Sequence, residues 1–118
     1  MRRKLTKSER REIYQKMNGR CAYCGCELDF KNMQVDHVIS LAHHGGKDEL
    51  SNMLPSCRSC NHYKSTLSLE GFRDAIGRFP DVLARDNVTY RNAVRFGLVI
   101  PNPHKIVFYF ERMGGEVQ

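Results

Sequence analysis

Tryptophan is absent from this chain of 118 residues, so any core must be built from Leu, Ile, Val, Met, Phe and Tyr. Also missing is an apolar run long enough to span a bilayer, and no secretory-leader stretch follows the basic start, so no membrane contact is expected. There are no repeats, low-complexity tracts or clear linkers, and the length suits one domain over residues 1–118. Cysteine is not scarce, but its number is odd: five, set as two close pairs and a remainder. That count speaks against a secreted disulfide framework and for a reduced, cytoplasmic setting in which thiolates bind metal. With 41% hydrophobic and 27% charged residues, the composition is that of a folded chain.

Acidic side chains are sparse in one place. Residues 1–20 carry eight basic groups (Arg2, Arg3, Lys4, Lys7, Arg10, Arg11, Lys16 and Arg20) against Glu9 and Glu12, which accounts for the whole net charge of +6. Such a block suits a phosphate backbone, and it makes Arg2, Arg3, Lys4, Arg10 and Arg11 candidate DNA contacts. The plainer reading is a solvated helix face.

Local signals outline the elements. Thr6 and Glu9 form a capping box that predicts a helix over 7–17, closed by Asn18-Gly19. Gln34–Ile39 alternates as a strand with Val35, His37 and Ile39 on one side. Met53-Leu54 reads as a second strand stopped by Pro55. Helices are expected from Arg58 to about Thr66 and from Ser68 to about Arg78, with one turn over Pro80–Arg85 and a weaker helix over Tyr90–Phe96. Lys105–Glu111 reads as the clearest strand, with Ile106, Phe108 and Phe110 on one face.

Two Cys-x-x-Cys knuckles, Cys21/Cys24 and Cys57/Cys60, stand 32 residues apart. Four thiolates make a closed tetrahedral zinc site, which is structural because no position is left for water. A spacing beyond the ~15–20 residues of a simple zinc ribbon requires a folded insert. Cys26 is left over and reads as a bystander. The insert contains Asp36, His37 and Asn52, and Asn61 follows Cys60 directly. These oxygen and imidazole groups suit a hydrolytic divalent ion. Taken singly, each has a bland reading as a turn acid, a half-buried strand histidine, a turn asparagine or a helix-start asparagine.

Taken together, Cys-x-x-Cys-Gly, Val-Asp-His, Gly-Gly, Asn-Met-Leu and Cys-x-x-Cys-Asn-x-x-Lys, in that order over about Arg20–Ser65, resemble the HNH endonucleases. The resemblance implies an α+β protein: a zinc-stabilised ββα-metal core at 21–66, preceded by a basic arm and helix at 1–20. A helical and strand extension would follow at 67–118. It implies that Asp36 ligates a catalytic ion (Mg²⁺, Mn²⁺ or another divalent metal) and that His37 is the general base. Asn52 would hold the loop and orient that base, and Asn61 would be the second ion ligand. The last position is often His in the family, and the neighbouring His62 leaves the second ligand open between the two. Lys64, one helical turn beyond Asn61, is either a phosphate contact or a solvated lysine. His43 and His44 sit in a loop and read as DNA contacts or surface rather than ligands. The implied activity is hydrolysis of DNA phosphodiesters to 5′-phosphate and 3′-hydroxyl ends, in a bacterial or phage setting. The alternative is a non-catalytic, zinc-stabilised nucleic-acid-binding module.

Overall fold

The computed structural model describes residues 4–113, so Arg2 and Arg3 of the basic arm lie outside the described residues. Helix α1 (Lys7–Lys16) starts where the sequence predicts. The Thr6 hydroxyl accepts from the Glu9 amide at 3.1 Å, and the Glu9 carboxylate accepts from the Thr6 amide at 2.9 Å. The helix ends as the chain turns through Asn18 (φ 53°) and Gly19 (φ 80°). The positive φ favours glycine at position 19, and a Cβ there would also press on the tip of Tyr14 at 2.9 Å. The inner stripe of α1 delivers Ile13, fully buried, to a cluster with Met33 and Met53. Burial of one such side chain is worth about 1.5–3 kcal/mol. Leu5, Tyr14, Leu28, Val35 and Leu50 close around it.

Strand β1 (Gln34–His37) pairs antiparallel with β2 (Met53–Ser56), with Asp36 opposite Leu54 and His37 opposite Met53. The first strand is shorter than its alternation suggests. Ile39 falls beyond it and is 51% exposed. The second strand corrects the expectation that Pro55 ends it, since Pro55 sits within β2 opposite Val35. In a two-stranded sheet each strand is an edge, so the missing proline N–H need not break the ladder. The Pro55 carbonyl meanwhile accepts from the Ala22 amide at 2.9 Å. Helix α2 (Arg58–Lys64) follows at once, capped by Cys57, whose sulfur accepts from the Cys60 amide at 3.4 Å.

The expected C-terminal strand is absent. Residues 101–108 have no regular structure, and Tyr109–Arg112 forms a short helix, α6. The Glu111 carboxylate accepts from the Phe108 amide at 2.8 Å and bends the chain into a turn. The Tyr109 and Phe110 amides then donate to the carbonyls of Tyr23 and Ala22 at 3.0 and 2.8 Å. Phe108 and Phe110 are both buried with their rings edge-on to Tyr23. The alternating aromatics therefore pack on one tyrosine of the first knuckle instead of lining a sheet face.

These elements belong to one compact unit, residues 4–69 with 107–113. The second unit, residues 70–106, holds most of α3 (Leu69–Gly77) together with α4 (Phe79–Asp86) and α5 (Val88–Arg95). Pro80 lies in the first turn of α4, where its missing N–H costs nothing. Asn87 caps α5 by accepting from the Tyr90 amide at 2.8 Å. Within the unit, Arg73 donates to the Ile106 carbonyl at 2.7 Å.

Candidate active site

The four paired cysteines come together. The sulfurs of Cys21, Cys24, Cys57 and Cys60 lie within 4.8 Å of one another, and those of Cys24 and Cys57 are 3.9 Å apart. A tetrahedral ion with bonds of about 2.3 Å would hold its sulfurs ~3.8 Å apart, so the cluster fits such an ion. Gly25 (φ 81°) makes the first knuckle possible, because its amide turns back to the Cys21 carbonyl at 3.0 Å. Amides also point at sulfur: Tyr23 N–H donates to Cys21, and Cys60 N–H to Cys57, each at 3.4 Å. The hydrogen bond from Cys60 draws the Cys21 thiol well below its ordinary pKa, and the same contact, with burial, pushes Cys60 up. The described residues thus contain a thiol set able to hold a metal ion. Cys26 is exposed and stands outside it.

Asp36 is only 2% exposed. Its Oδ2 accepts from the Tyr23 hydroxyl at 2.5 Å and lies 3.1 Å from the Lys64 ammonium, which also reaches Oδ1 at 3.3 Å. Burial raises the Asp36 pKa, while Lys64 and the Tyr23 hydrogen bond oppose the rise. The Tyr23 phenol is likewise pushed up, by burial first and then by the Asp36 charge. Lys64 donates as well to the His37 carbonyl at 3.1 Å and is fully buried. This corrects its reading as a phosphate contact, because the ammonium faces inward and is spent on Asp36 and the β1 backbone. A carboxylate has about four lone-pair positions, two on each oxygen. Tyr23 donates to Oδ2 and Lys64 to Oδ1, with the ammonium also at ion-pair distance from Oδ2, so Oδ1 keeps one position for a further partner. Both donors come from the knuckles: Tyr23 lies between Cys21 and Cys24, and Lys64 lies one turn beyond Cys60.

His37, at the end of β1, is 7% exposed, and its Nε2 lies 2.9 Å from Asp48 Oδ1. A carboxylate only accepts, so in the neutral ring this contact puts the proton on Nε2 and leaves Nδ1 as the acceptor nitrogen. Asn52 organises the intervening loop. Its side chain accepts from Ile39 N–H and donates to the carbonyls of Ile39 and Lys47, each at 2.9 Å. Its own carbonyl accepts from Val38 N–H at 2.9 Å. Gly46 is packed into the same turn, and a Cβ there would lie 1.8 Å from the Ile39 carbonyl oxygen.

On α2, Asn61 is half-buried and stands three positions before Lys64, on the helix face that meets Asp36. His62 is exposed, with its ring edge-on to Tyr63. His43 and His44 are exposed in the loop after β1. Of the basic candidates, Lys4 and Arg11 are exposed, whereas Arg10 is half-buried and donates to the carbonyls of Phe30 and Met33 at 3.2 and 3.1 Å. Two residues of the site escape a sequence reading, Tyr23 and Asp48. A tyrosine inside a knuckle and a lone loop acid carry no spacing signature, and only the folded insert brings them to Asp36 and His37.

Residues 21–66 match the family model of the HNH endonuclease. Over 55 residues the chain is 34% identical to the CRISPR-associated endonuclease Cas9 of Corynebacterium diphtheriae, a match that covers 47% of this chain and 5% of that protein. Over 60 residues it is 32% identical to the SPbeta prophage-derived protein YoqL of Bacillus subtilis, covering 45% of this chain and 26% of that one. The chain thus spans a minor part of either relative. The crystal structure of the type II-C Cas9 of Actinomyces naeslundii superposes with a TM-score of 0.54 at 22% identity, over 65% of this chain and 8% of that one. That likeness establishes the fold of the matched part. Among the described residues no helix is long and apolar enough to cross a membrane.

Proposed function

From an HNH endonuclease domain at residues 21–66, we propose that this chain is a divalent-metal-dependent endonuclease that hydrolyses DNA phosphodiester bonds. The observation that carries the reading is the His37–Asp48 contact at the end of β1, one residue after the buried Asp36. His37, with its proton on Nε2 toward Asp48, takes a proton from water at Nδ1. Asp48 holds the ring and stabilises the imidazolium as it forms. Asn52 ties the two ends of the loop that separates His37 from Asp48. Asp36 Oδ1 and the Asn61 amide are the oxygen donors to a hydrated Mg²⁺ or Mn²⁺, a donor set that suits a hard cation. That ion, when bound, would supply Lewis acidity at the phosphate and help the departing 3′-oxygen. The products are 5′-phosphate and 3′-hydroxyl ends.

The four thiolates hold a structural zinc in this proposal. Its role is mechanical, since it clamps the first knuckle, which carries Tyr23, to the start of α2, which carries Lys64, the two groups that fix Asp36. Arg11 and Lys4, with Arg2 and Arg3, serve the DNA backbone.

One observation favours the non-catalytic alternative: Asp36 is buried and both of its oxygens already have donors. Incubation of supercoiled plasmid with Mg²⁺ or Mn²⁺ separates the two readings. EDTA-sensitive nicking supports the enzyme, and tight binding without nicking supports the binding module.

A further inference from the structure

A cleft of about 670 Å³ lies on the first unit between the start of α1, the Phe30–Asn32 turn and the start of β1. Its lining includes Lys7, Arg10 and Lys31, the apolar Leu5 and Phe30, and Asn61, and no carboxylate. Sequence reading assigns nothing to Lys31, because it stands outside the basic arm. Folding brings it beside two cations of α1. Lys7 and Lys31 are exposed. Arg10 is held by one end only. Its Nη2 donates to the carbonyls of Phe30 and Met33, and the guanidinium keeps Nη1 and Nε as further donors. Its ordering is complete before any ligand arrives, which favours capture of an oxyanion. Arg10 and Arg11 also lie 5.5 and 5.0 Å from the centre of the Phe30 ring, so that ring is already covered and is not a platform for a base.

We propose that this cleft binds the sugar-phosphate backbone of the cleaved DNA strand, beside the scissile phosphate. The inference rests on the nuclease reading only for the identity of the strand. Three cations without a carboxylate select polyanions, and the presence of Asn61 links the cleft to the candidate ion ligand on α2. Lys7, Arg10 and Lys31 would each meet a phosphate, and Leu5 would lie against a sugar. The site is sequence-independent, because nothing in the cleft is aimed at base edges.

The test compares the full chain with the double variant Lys7→Gln/Lys31→Gln and with Arg112→Gln, which removes an exposed charge elsewhere on the same unit. A fluorescent single-stranded oligonucleotide is titrated over a range of salt without divalent metal, and cleavage is then followed with Mn²⁺. Two lost phosphate contacts should lower the slope of log affinity against log salt by about 1.4, from roughly 0.7 per contact on a single strand. In cleavage the loss should appear in KM and not in kcat. Arg112→Gln should leave the slope unchanged. An unaltered slope and KM in a folded double variant overturns the proposal, as does an equal fall in Arg112→Gln. Wild type that binds through the cleft yet never nicks would leave this inference standing and remove the nuclease reading. Wild type that nicks with no contribution from the cleft would do the reverse.

Discussion

The ammonium of Lys64 lies 3.1 Å from Oδ2 of Asp36, and both side chains are shut away from solvent. A buried ion pair gains little over a well-packed apolar pair, but breaking one partner leaves a buried charge, at a cost of about 3–5 kcal/mol. Lys64→Met should therefore destabilise the chain by roughly that much, whereas Asp36→Asn/Lys64→Met should recover a large part of the loss. Urea unfolding of the three proteins measures both numbers. Equal stability of Lys64→Met and wild type would show that Asp36 does not depend on this partner.

Metal removal should act on the same aspartate. We expect one zinc per chain by elemental analysis, bound through Cys21, Cys24, Cys57 and Cys60. Loss of any one thiolate should unfold the first unit, because metal binding at such a site is worth on the order of 10 kcal/mol of folding free energy. The chain has no tryptophan, so its tyrosines, Tyr23 among them, report the change directly in near-ultraviolet circular dichroism. A zinc-free chain with an intact near-ultraviolet spectrum would contradict this expectation.

The features that were legible in sequence are the ones encoded locally. The Thr6–Glu9 box, the turn at Asn18-Gly19 and the two knuckles each depend on residues within a few positions of one another. The C-terminal extension was misread for the opposite reason. Ile106, Phe108 and Phe110 alternate as a strand face would, but the segment pairs with neither strand, and the Tyr109 and Phe110 amides donate to the carbonyls of Tyr23 and Ala22 instead. Pro55 was misread because a general rule about proline in sheets does not bind a strand that is an edge. Lys64, Tyr23 and Asp48 needed the fold itself. Each acts on a residue 11–28 positions away, through contacts that exist only after the knuckles and the loop are in place.

The loop after β1 offers a second test of the site's construction. Asn52→Ala removes three side-chain hydrogen bonds, each worth about 0.5–1.5 kcal/mol. Gly46→Ala brings a methyl group against the Ile39 carbonyl at a distance no packing tolerates. Both variants should lose cleavage and retain zinc, since the loop holds Asp48 near His37 and none of the thiols. A fully active Gly46→Ala would mean that the loop is free to rearrange without cost to the chemistry.

Asp48 should matter through His37. Asp48→Ala is expected to lower kcat by roughly 10–100-fold, the usual effect of losing a histidine's supporting partner. KM should change little. Asp48→Asn keeps an acceptor oxygen toward Nε2 and should restore part of the rate. Asn61→Ala and Asp36→Ala should weaken metal dependence, with partial recovery at high Mn²⁺, and His62→Ala should be mild. A dead His62→Ala beside an active Asn61→Ala would move the second ion ligand one residue along the helix.

The most direct measurement is the rate of supercoiled plasmid nicking in Mg²⁺ or Mn²⁺ by wild type beside His37→Ala, with zinc content and DNA binding measured on the same preparations. Wild type should nick, EDTA should stop it, and His37→Ala should be slower by about 10²–10⁴-fold with zinc and binding preserved. A His37→Ala protein that nicks as fast as wild type would contradict the assignment of His37 as the base.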